Sequence, residues 1–356
     1  MKRFTLVFLS LLLIFPLAGC WDAKSIDKRL LPAIMGVELD KDKKTYIVSL
    51  RIPDPQSKDF HTVHAKSKTI SDALDKIRMN EERSIDVLHL TLIIVSEELA
   101  KKGIEELIEY AIRSREIKSK ALLAVAKGDI YTLLQSRKNL RKEKGIEMLD
   151  LFSPNAGWTP NVSLNYIWEA YRDIQASTVD MAVPLLKEGT ETLFEMEGSA
   201  IFHNDKQVGT ISTDETFLYN LFRDRFTSGI VEITPSASLE IVDAKISHRT
   251  SWVSDRPKIF STLHLKAIVV EADEKTRLNT NTLKLELEKL LEDRFQKLFG
   301  TARSKKADIF MTGVIFRSKL APDQVDLWED QLYEKLIMDL KTDVIIRNTG
   351  NVRLGQ

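Results

Sequence analysis

The first twenty residues constrain this chain more than any other stretch. Two basic residues, Lys2 and Arg3, precede the 14-residue apolar run Phe4 to Leu17, and small residues follow it before Cys20. A basic start, a short apolar run and a small-residue end are the layout of a secretory signal peptide. A helix that crosses a ~30 Å hydrocarbon core needs about 20 residues. The run is shorter, so the sequence predicts export and cleavage instead of a permanent transmembrane helix.

Cys20 is the only cysteine of the 356 residues, and it follows the apolar run directly. The tetrapeptide Leu17-Ala18-Gly19-Cys20 resembles a bacterial lipobox, in which a diacylglyceryl group alkylates the cysteine sulfur and the peptide is cut before the cysteine. A lone cysteine elsewhere is usually a small buried residue. We predict cleavage between Gly19 and Cys20 and lipid attachment at Cys20. Two acyl chains make a firm membrane anchor, whereas one binds reversibly.

The composition is that of an ordinary folded protein and disfavours several classes. The chain has 52 basic and 52 acidic residues and 43% hydrophobic residues. Zero formal charge and the absence of long like-charge blocks provide no field that attracts a polyanion, so we expect no nucleic-acid binding. One cysteine cannot form a disulfide within its own chain. The length suggests two or three domains.

Strand and helix signals alternate through the first half of the chain. Ile34–Leu39 and Tyr46–Ile52 flank a polar turn and predict a hairpin. Leu90–Val95 and Ala121–Ala126 are short apolar runs that predict strands covered on both faces. Helical spacing of apolar residues predicts amphipathic helices that start behind capping residues: Thr69, Ser96, Asp129 and Ser163. This alternation indicates α/β structure.

The second half of the sequence predicts a mixed sheet with packed helices. A hairpin over residues 198–211 opens it, and Ser212 with Glu215 has capping-box spacing before a helix. The remaining predicted elements are strands at Ser238–Ile246 and Lys258–Glu271, a long helix through Leu283–Leu298, a strand at Asp308–Phe316, a helix at Pro322–Leu340 and a strand at Val344–Arg347.

The predicted fold class is mixed α/β (α+β), with mixed sheets and packed helices in two to three domains. Residues 1–19 form the signal peptide and 20–150 an N-terminal α/β domain. Residues 151–190 form a middle segment or small second domain, and 191–356 a C-terminal mixed-sheet domain. The main boundary signal is the charged stretch from Leu140 to Gly157, which ends in turn-forming residues.

Motifs for cofactors and catalysis do not occur in the sequence. It lacks the dinucleotide fingerprint, the phosphate loop and the zinc-protease helix, and no serine forms a nucleophile elbow. His61 and His64 lie in an extended stretch, where an i, i+3 pair points to opposite sides. We therefore expect no metal, no cofactor and no catalytic residue.

Two groups of side chains have ordinary structural interpretations. Helical carboxylates with basic neighbours are interpreted as solvated faces; they include Glu286, Glu288 and Glu292. The tryptophans inside predicted elements are expected in the core, and Trp158 is expected as a buried plug at a domain junction; the core set is Trp168, Trp252 and Trp328.

The sequence resembles a known family from Cys20-Trp21-Asp22 onward: the Ger(x)C family, the lipoprotein C subunits of spore germinant receptors. Three further stretches resemble that family in the same order, at Ile93–Ile104, Gly198–Gly209 and Asp343–Gly350. One departure is Leu88 before His89, where the family suggests an aromatic residue. The resemblance covers most of the chain.

The resemblance implies a non-enzymatic subunit anchored on the outer face of the spore inner membrane. There it would work with a polytopic A subunit and a polytopic B subunit in a complex that responds to nutrients and triggers germination. Two alternatives stay open: a solute-binding lipoprotein that captures the nutrient itself, and an extracytoplasmic hydrolase that uses an unrecognised carboxylate pair.

Overall fold

The computed structural model describes residues 28–54, 60–135, 151–153, 155–190, 192–226, 228–272 and 279–348. The expected signal peptide, Gly19 and Cys20 lie outside these residues, as does most of the stretch from Leu140 to Gly157. The described chain forms three sheets with packed helices, so the predicted mixed architecture is confirmed. Within those ranges, every helix is too short or too polar to cross a membrane.

Strands and helices occur in both halves of the described chain. The strands are β1 (Arg29–Leu30), β2 (Ile34–Leu39), β3 (Tyr46–Pro53), β4 (Phe60–Ser67), β5 (Ser84–Ile85), β6 (Leu92–Ser96), β7 (Leu122–Ala126), β8 (Ala182–Glu188), β9 (Phe194–His203), β10 (Lys206–Ile211), β11 (Ile230–Ile233), β12 (Ala237–Val253), β13 (Arg256–Ala272) and β14 (Ile337–Asn348). The helices are α1 (Ile70–Asn80), α2 (Glu97–Lys102), α3 (Glu105–Arg113), α4 (Ile130–Leu134), α5 (Ile167–Ile174), α6 (Thr213–Phe222), α7 (Thr280–Ser304), α8 (Thr312–Phe316) and α9 (Pro322–Asp326).

The largest sheet has eight strands in the order β10-β9-β8-β7-β6-β2-β3-β4. Four parallel strands, β2, β6, β7 and β8, form its centre, and antiparallel strands extend both sides. The predicted hairpin is confirmed, with Leu39 opposite Tyr46. β6 and β7 are buried along their whole length, as their continuous apolar runs indicate.

Helices cover both faces of this sheet. α1, α2, α3 and α5 pack on one face, while α4 and residues 151–153 and 155–166 pack on the other. The predicted N-caps Thr69, Ser96 and Asp129 are confirmed, since each side chain accepts a hydrogen bond from a first-turn backbone N–H. Ser163 is not a cap. The carbonyl of Asn165 accepts the Leu123 N–H, which holds the chain extended against β7 until α5 begins.

The second sheet has four strands in the order β11-β12-β13-β14. β12 and β13 form a long hairpin whose turn residues, Ser254 and Asp255, have left-handed φ values of 47° and 60°. α7 covers one face of the sheet. Apolar residues of α7 spaced three or four apart make this contact: Leu283, Leu287, Leu291, Phe295 and Leu298.

Two expectations for the C-terminal region are wrong. The predicted strand Asp308–Phe316 is an irregular segment followed by α8, with Phe310 fully buried. The predicted helix Pro322–Leu340 is instead the short helix α9 followed by a π-helical turn at Trp328–Leu332, and β14 begins at Ile337. Periodicity does not distinguish short apolar strands from short buried helices. The parallel pairing of β14 with β13 is a long-range contact that local sequence does not encode.

The expected domain boundary at residue 191 falls between β8 and β9. These strands are hydrogen-bonded neighbours in one sheet, so that sheet runs across the boundary. Ala182 and Ile201 of the first sheet also belong to the hydrophobic core under the second sheet. The division into residues 20–150, 151–190 and 191–356 therefore stays a prediction.

Close packing of β2 against α4 yields a testable stability prediction. In Gly36→Ala, the new Cβ would lie 2.3 Å from Ile130 Cγ2, so we expect the free energy of unfolding to fall by roughly 1–3 kcal/mol. Gly300→Ala in α7 is the matched control, because a Cβ there meets nothing within 4 Å; it should stabilise the protein by about 1 kcal/mol. Urea unfolding followed by circular dichroism measures both, and a neutral Gly36→Ala would contradict the packing.

Candidate functional site

The described chain enters the fold at the amino ends of the parallel strands. β1 pairs in parallel with β5, with Arg29 opposite Ser84, and Arg29 Nη1 lies 2.8 Å from Asp86 Oδ2. The predicted site residues Gly19 and Cys20 precede this point and lie outside the described residues. Lipid attachment at Cys20 and cleavage after Gly19 therefore stay predictions.

A cluster of carboxylates around His203 joins the first sheet to the C-terminal segment. His203 Nδ1 lies 3.3 Å from Asp180 Oδ2, and Nε2 lies 3.3 Å from Glu329 Oε1. Asn204 donates its backbone N–H to Asp180 at 2.7 Å and its side-chain amide to Glu329 at 2.9 Å. Asn204 and Glu329 are 125 positions apart in the sequence, so this cluster is a long-range tie.

Asp308 lies beside this cluster and is enclosed by protein. Its carboxylate accepts hydrogen bonds from Thr312 N, Gly313 N and Trp328 Nε1 at 2.8, 2.8 and 3.0 Å. Its backbone N–H donates to Asp180 Oδ2 at 2.8 Å. Burial raises the pKa of Asp308 to about 6, although the N–H donors favour the ionised form. The carboxyl group organises the turn that leads into α8.

The environment of His203 favours its protonated form. The hydrogen bond to Asp180 raises the pKa of His203 above its ordinary value of 6.5, and the charge of Glu329 adds to this, against burial and the nearby Lys306. When it is protonated, His203 pairs with two carboxylates from different parts of the chain, Asp180 and Glu329.

Buried ion pairs fix α5 against the end of α6. Arg223 Nη1 lies 2.9 Å from Asp173 Oδ2, and both side chains are almost completely buried. Arg225 bonds to Glu169 in the first turn of α5. Removing one partner of such a pair leaves an uncompensated buried charge, which is strongly destabilising. These pairs have a structural role in joining the two helices.

A cleft of about 780 Å³ lies on the second sheet beside the edge strand β14. Phe260, Thr262 and His264 of β13 line it, and they alternate with residues buried under α7. Basic and acidic side chains surround these three residues: Arg249, Lys284, Lys341, Glu288, Glu292 and Asp343. The lining therefore offers both signs of charge within one cavity of ligand size.

Carboxylates of α7 cap backbone groups of the second sheet. Glu292 accepts the Thr342 N–H at 2.7 Å, and Glu288 accepts the Val344 N–H at 3.1 Å. Glu286 accepts the hydroxyl of Ser236 at 2.6 Å. The interpretation of these glutamates as a solvated face is wrong. Because an unpaired strand edge invites pairing with another strand, the two caps on β14 block one such edge.

The remaining sequence candidates have mixed outcomes. His61 and His64 lie on the extended strand β4 as predicted, and the described residues contain no group of three or more His, Cys, Asp or Glu suited to a metal ion. Trp328 and Trp158 are buried as expected. The core assignment is wrong for Trp168 and Trp252, which are 41% and 38% exposed. Trp168 lies on the outer side of the short helix α5, a position that periodicity alone did not identify.

Sequence reasoning missed the cluster of Asp180, His203, Asp308 and Glu329. These residues come from four separate segments, and each is flanked by ordinary polar or apolar residues. No local signal marks them, because only the packing of β9 against the C-terminal segment brings them together.

The raised pKa of His203 predicts a pH-dependent contribution to stability. The native state binds this proton more tightly than the unfolded chain, so the stabilisation is present below pH 6.5 and is lost as the pH rises through the native pKa. His203→Gln should therefore lower the free energy of unfolding more at pH 5 than at pH 9. His89→Gln, at an exposed position, is the control. Chemical denaturation at both pH values measures the difference, and a pH-independent effect of His203→Gln would contradict the assignment.

Comparison with known proteins places this architecture among spore germination proteins. The family described as "Spore germination protein N-terminal domain" matches residues 22–188, and "Spore germination B3/ GerAC like, C-terminal" matches residues 197–350. Spore germination protein GerQC of Bacillus cereus is 22% identical, over 100% of this chain and 99% of the relative. Spore germination protein KC of Bacillus subtilis (strain 168) is 21% identical, over 98% of this chain and 96% of the relative.

A solved structure has the same fold. The crystal structure of the GerBC protein matches with a TM-score of 0.57 at 16% identity, and the match covers 87% of this chain and 96% of that chain. The two family matches together span nearly all of the chain after Cys20, and the resemblance that begins at Cys20-Trp21-Asp22 is confirmed. The chain belongs to the Ger(x)C family, the C subunits of spore germinant receptors.

Proposed function

We propose that the mature protein is a lipid-anchored, non-enzymatic subunit of a nutrient germinant receptor. It is held on the outer face of the spore inner membrane and acts by binding the polytopic A and B subunits. The observation that carries this proposal is the family match, which begins at residue 22, two positions after the lipobox cysteine. The lipobox-like tetrapeptide supports the anchor, since a diacylglyceryl group binds membranes firmly.

The open face of the second sheet supports a role in protein interaction. Alternation along β11 turns Val231 and Ile233 away from the core, with exposed fractions of 51% and 76%. Val270 of β13 and Ile345 of β14 are exposed by 42% and 51%. Exposed apolar side chains on one sheet face are typical of surfaces that bind another protein. We assign this face to contact with the receptor partners.

The anchor is tested by Cys20→Ala in the full-length chain expressed in spores. We expect loss of the protein from the membrane fraction and reduced or abolished nutrient germination, because the thiol is the only site for the lipid. Ser10→Ala, inside the apolar run, keeps the thiol and should leave membrane retention and nutrient germination unchanged. Full membrane retention and normal germination of Cys20→Ala would contradict the anchor.

The partner role is tested by affinity capture from detergent-solubilised spore membranes. Both polytopic subunits should co-purify with this protein, and Ile233→Asp should lower their recovery because it places a charge in the apolar face. Leu285→Asp is the matched control, at a residue 64% exposed on α7. Equal recovery with Ile233→Asp and Leu285→Asp would contradict the assigned face.

A second candidate function is capture of the nutrient itself in the cleft beside β14. Its mixed lining favours this candidate, because Arg249 and Lys341 could bind the carboxylate of an amino acid while acidic side chains bind its ammonium group. Calorimetry of residues 21–356 against candidate germinants separates the two functions. Saturable binding that Arg249→Gln removes would favour nutrient capture, and absence of heat would favour the interaction role.

A further inference from the structure

The amino ends of the parallel strands form one continuous end of the molecule, at which the described chain begins. The Asp86 N–H donates to Leu30 O at 2.9 Å, and the Leu122 N–H donates to Thr91 O at 2.8 Å. These bonds connect the entry strand β1, the turn before β6 and the start of β7. The same end therefore carries the first described residues and the loops that precede the central strands.

Two further contacts bring helix ends to this region. The Trp168 N–H, at the start of α5, donates to Ser119 O at 3.0 Å. Arg78, near the end of α1, lies 2.6 Å from Glu116. The end of α1, the turn after α3 and the start of α5 therefore border the point of chain entry.

Large apolar side chains are exposed at this end. Met79 is 75% exposed, Leu88 44% and Trp168 41%. Arg172 stacks its guanidinium over the Trp168 ring at 5.4 Å. A tryptophan beside a basic side chain is typical of membrane–water interfaces, where the ring meets the headgroup layer.

The charge of this end differs from that of the whole chain. Residues 28–29, 78–89 and 113–120 contain eight Lys and Arg against four Asp and Glu, and Asp75 and Glu109, just outside these ranges, pair with Arg78 and Arg113. A basic excess of two remains, although the complete sequence is formally neutral. Arg83, Lys118 and Lys120 are exposed and form no ion pair with another described residue. Exposed basic groups without acidic partners attract an anionic surface.

Chain length limits the distance between this end and the proposed anchor. Cys20 and Lys28 are eight residues apart, and an extended chain spans at most about 3.6 Å per residue. The lipid on Cys20 therefore lies within about 29 Å of Lys28. The basic and apolar end must stay close to the bilayer, whereas the tip of α4 and other distant parts have no such constraint.

We propose that this end binds a negatively charged phospholipid surface. The anchor-end surface consists of Lys28, Arg83, Leu88, Lys118, Lys120 and Trp168. Its basic groups contact lipid phosphates, and its apolar groups enter the headgroup layer. This contact orients the body of the protein relative to the bilayer. The proposal rests on the lipid anchor proposed above, which brings the surface to the membrane.

The test uses the full-length chain, processed in a lipoprotein-producing host and reconstituted into vesicles. One set contains phosphatidylcholine alone, and the other contains phosphatidylcholine with phosphatidylglycerol. We expect hydrogen exchange over residues 83–90 and 115–121 to be slower in the anionic vesicles. Each basic residue near an anionic surface strengthens association roughly fivefold, so Lys118→Glu with Lys120→Glu should weaken it by at least ~25-fold and remove the protection.

Lys101→Glu with Lys102→Glu is the matched control, because these exposed lysines lie on α2, after the carboxyl end of β6. The control pair should keep the protection. High salt should remove the protection from hydrogen exchange in the protein without substitutions, which tests the contribution of charge directly.

Each outcome decides a separate question. Stable incorporation into vesicles with equal exchange in both lipid mixtures overturns the anchor-end surface but leaves the anchor intact. Protection that appears only in membranes containing the polytopic subunits also overturns it, in favour of a protein contact. A processed chain that does not incorporate into either vesicle overturns the anchor and this surface together.

Discussion

The carboxyl group of Asp180 ties together parts of the chain that are distant in sequence. It accepts N–H groups from Asn204 and Asp308 and contacts His203, while the Asp180 carbonyl accepts Arg223 at 2.5 Å. This residue, 5% exposed, therefore joins the hairpin β9–β10 to the turn before α8. Because that hairpin is the edge of the first sheet and α8 packs near the second, this contact links the two sheets, together with the shared core that contains Ala182 and Ile201.

Local chemistry was sufficient to predict several elements in the first half of the fold. The hairpin β2–β3, the caps Thr69 and Ser96 and the buried strand β7 all follow from turn residues, capping side chains and apolar runs within a few positions. The errors occur where distant residues decide the structure. The segment from Ile337 extends as β14 because β13 offers it a parallel partner. Asn165 stays extended because its carbonyl accepts the Leu123 N–H of β7.

The candidate sites were less predictable than the fold. The predicted lipid-attachment site at Cys20 rests on a short contiguous motif that the sequence displays directly, whereas the His203 cluster and the cleft beside Arg249 depend on long-range packing. Glu288 and Glu292 show why composition alone misassigns the role of a side chain. A helix with many acidic residues suggests a solvated face, yet these two carboxylates satisfy the N–H groups of an edge strand. Trp168 shows the opposite error, because a residue expected in the core is exposed.

The account depends on a lipid covalently bound to the first residue of the mature chain, which holds a folded body beside its receptor partners. The most direct test is mass spectrometry of the amino-terminal peptide from protein purified out of spore membranes. We expect a peptide that begins at Cys20 and carries a diacylglyceryl group, with residues 1–19 removed. A full-length chain with a free thiol at Cys20, recovered from the soluble fraction, would contradict the account.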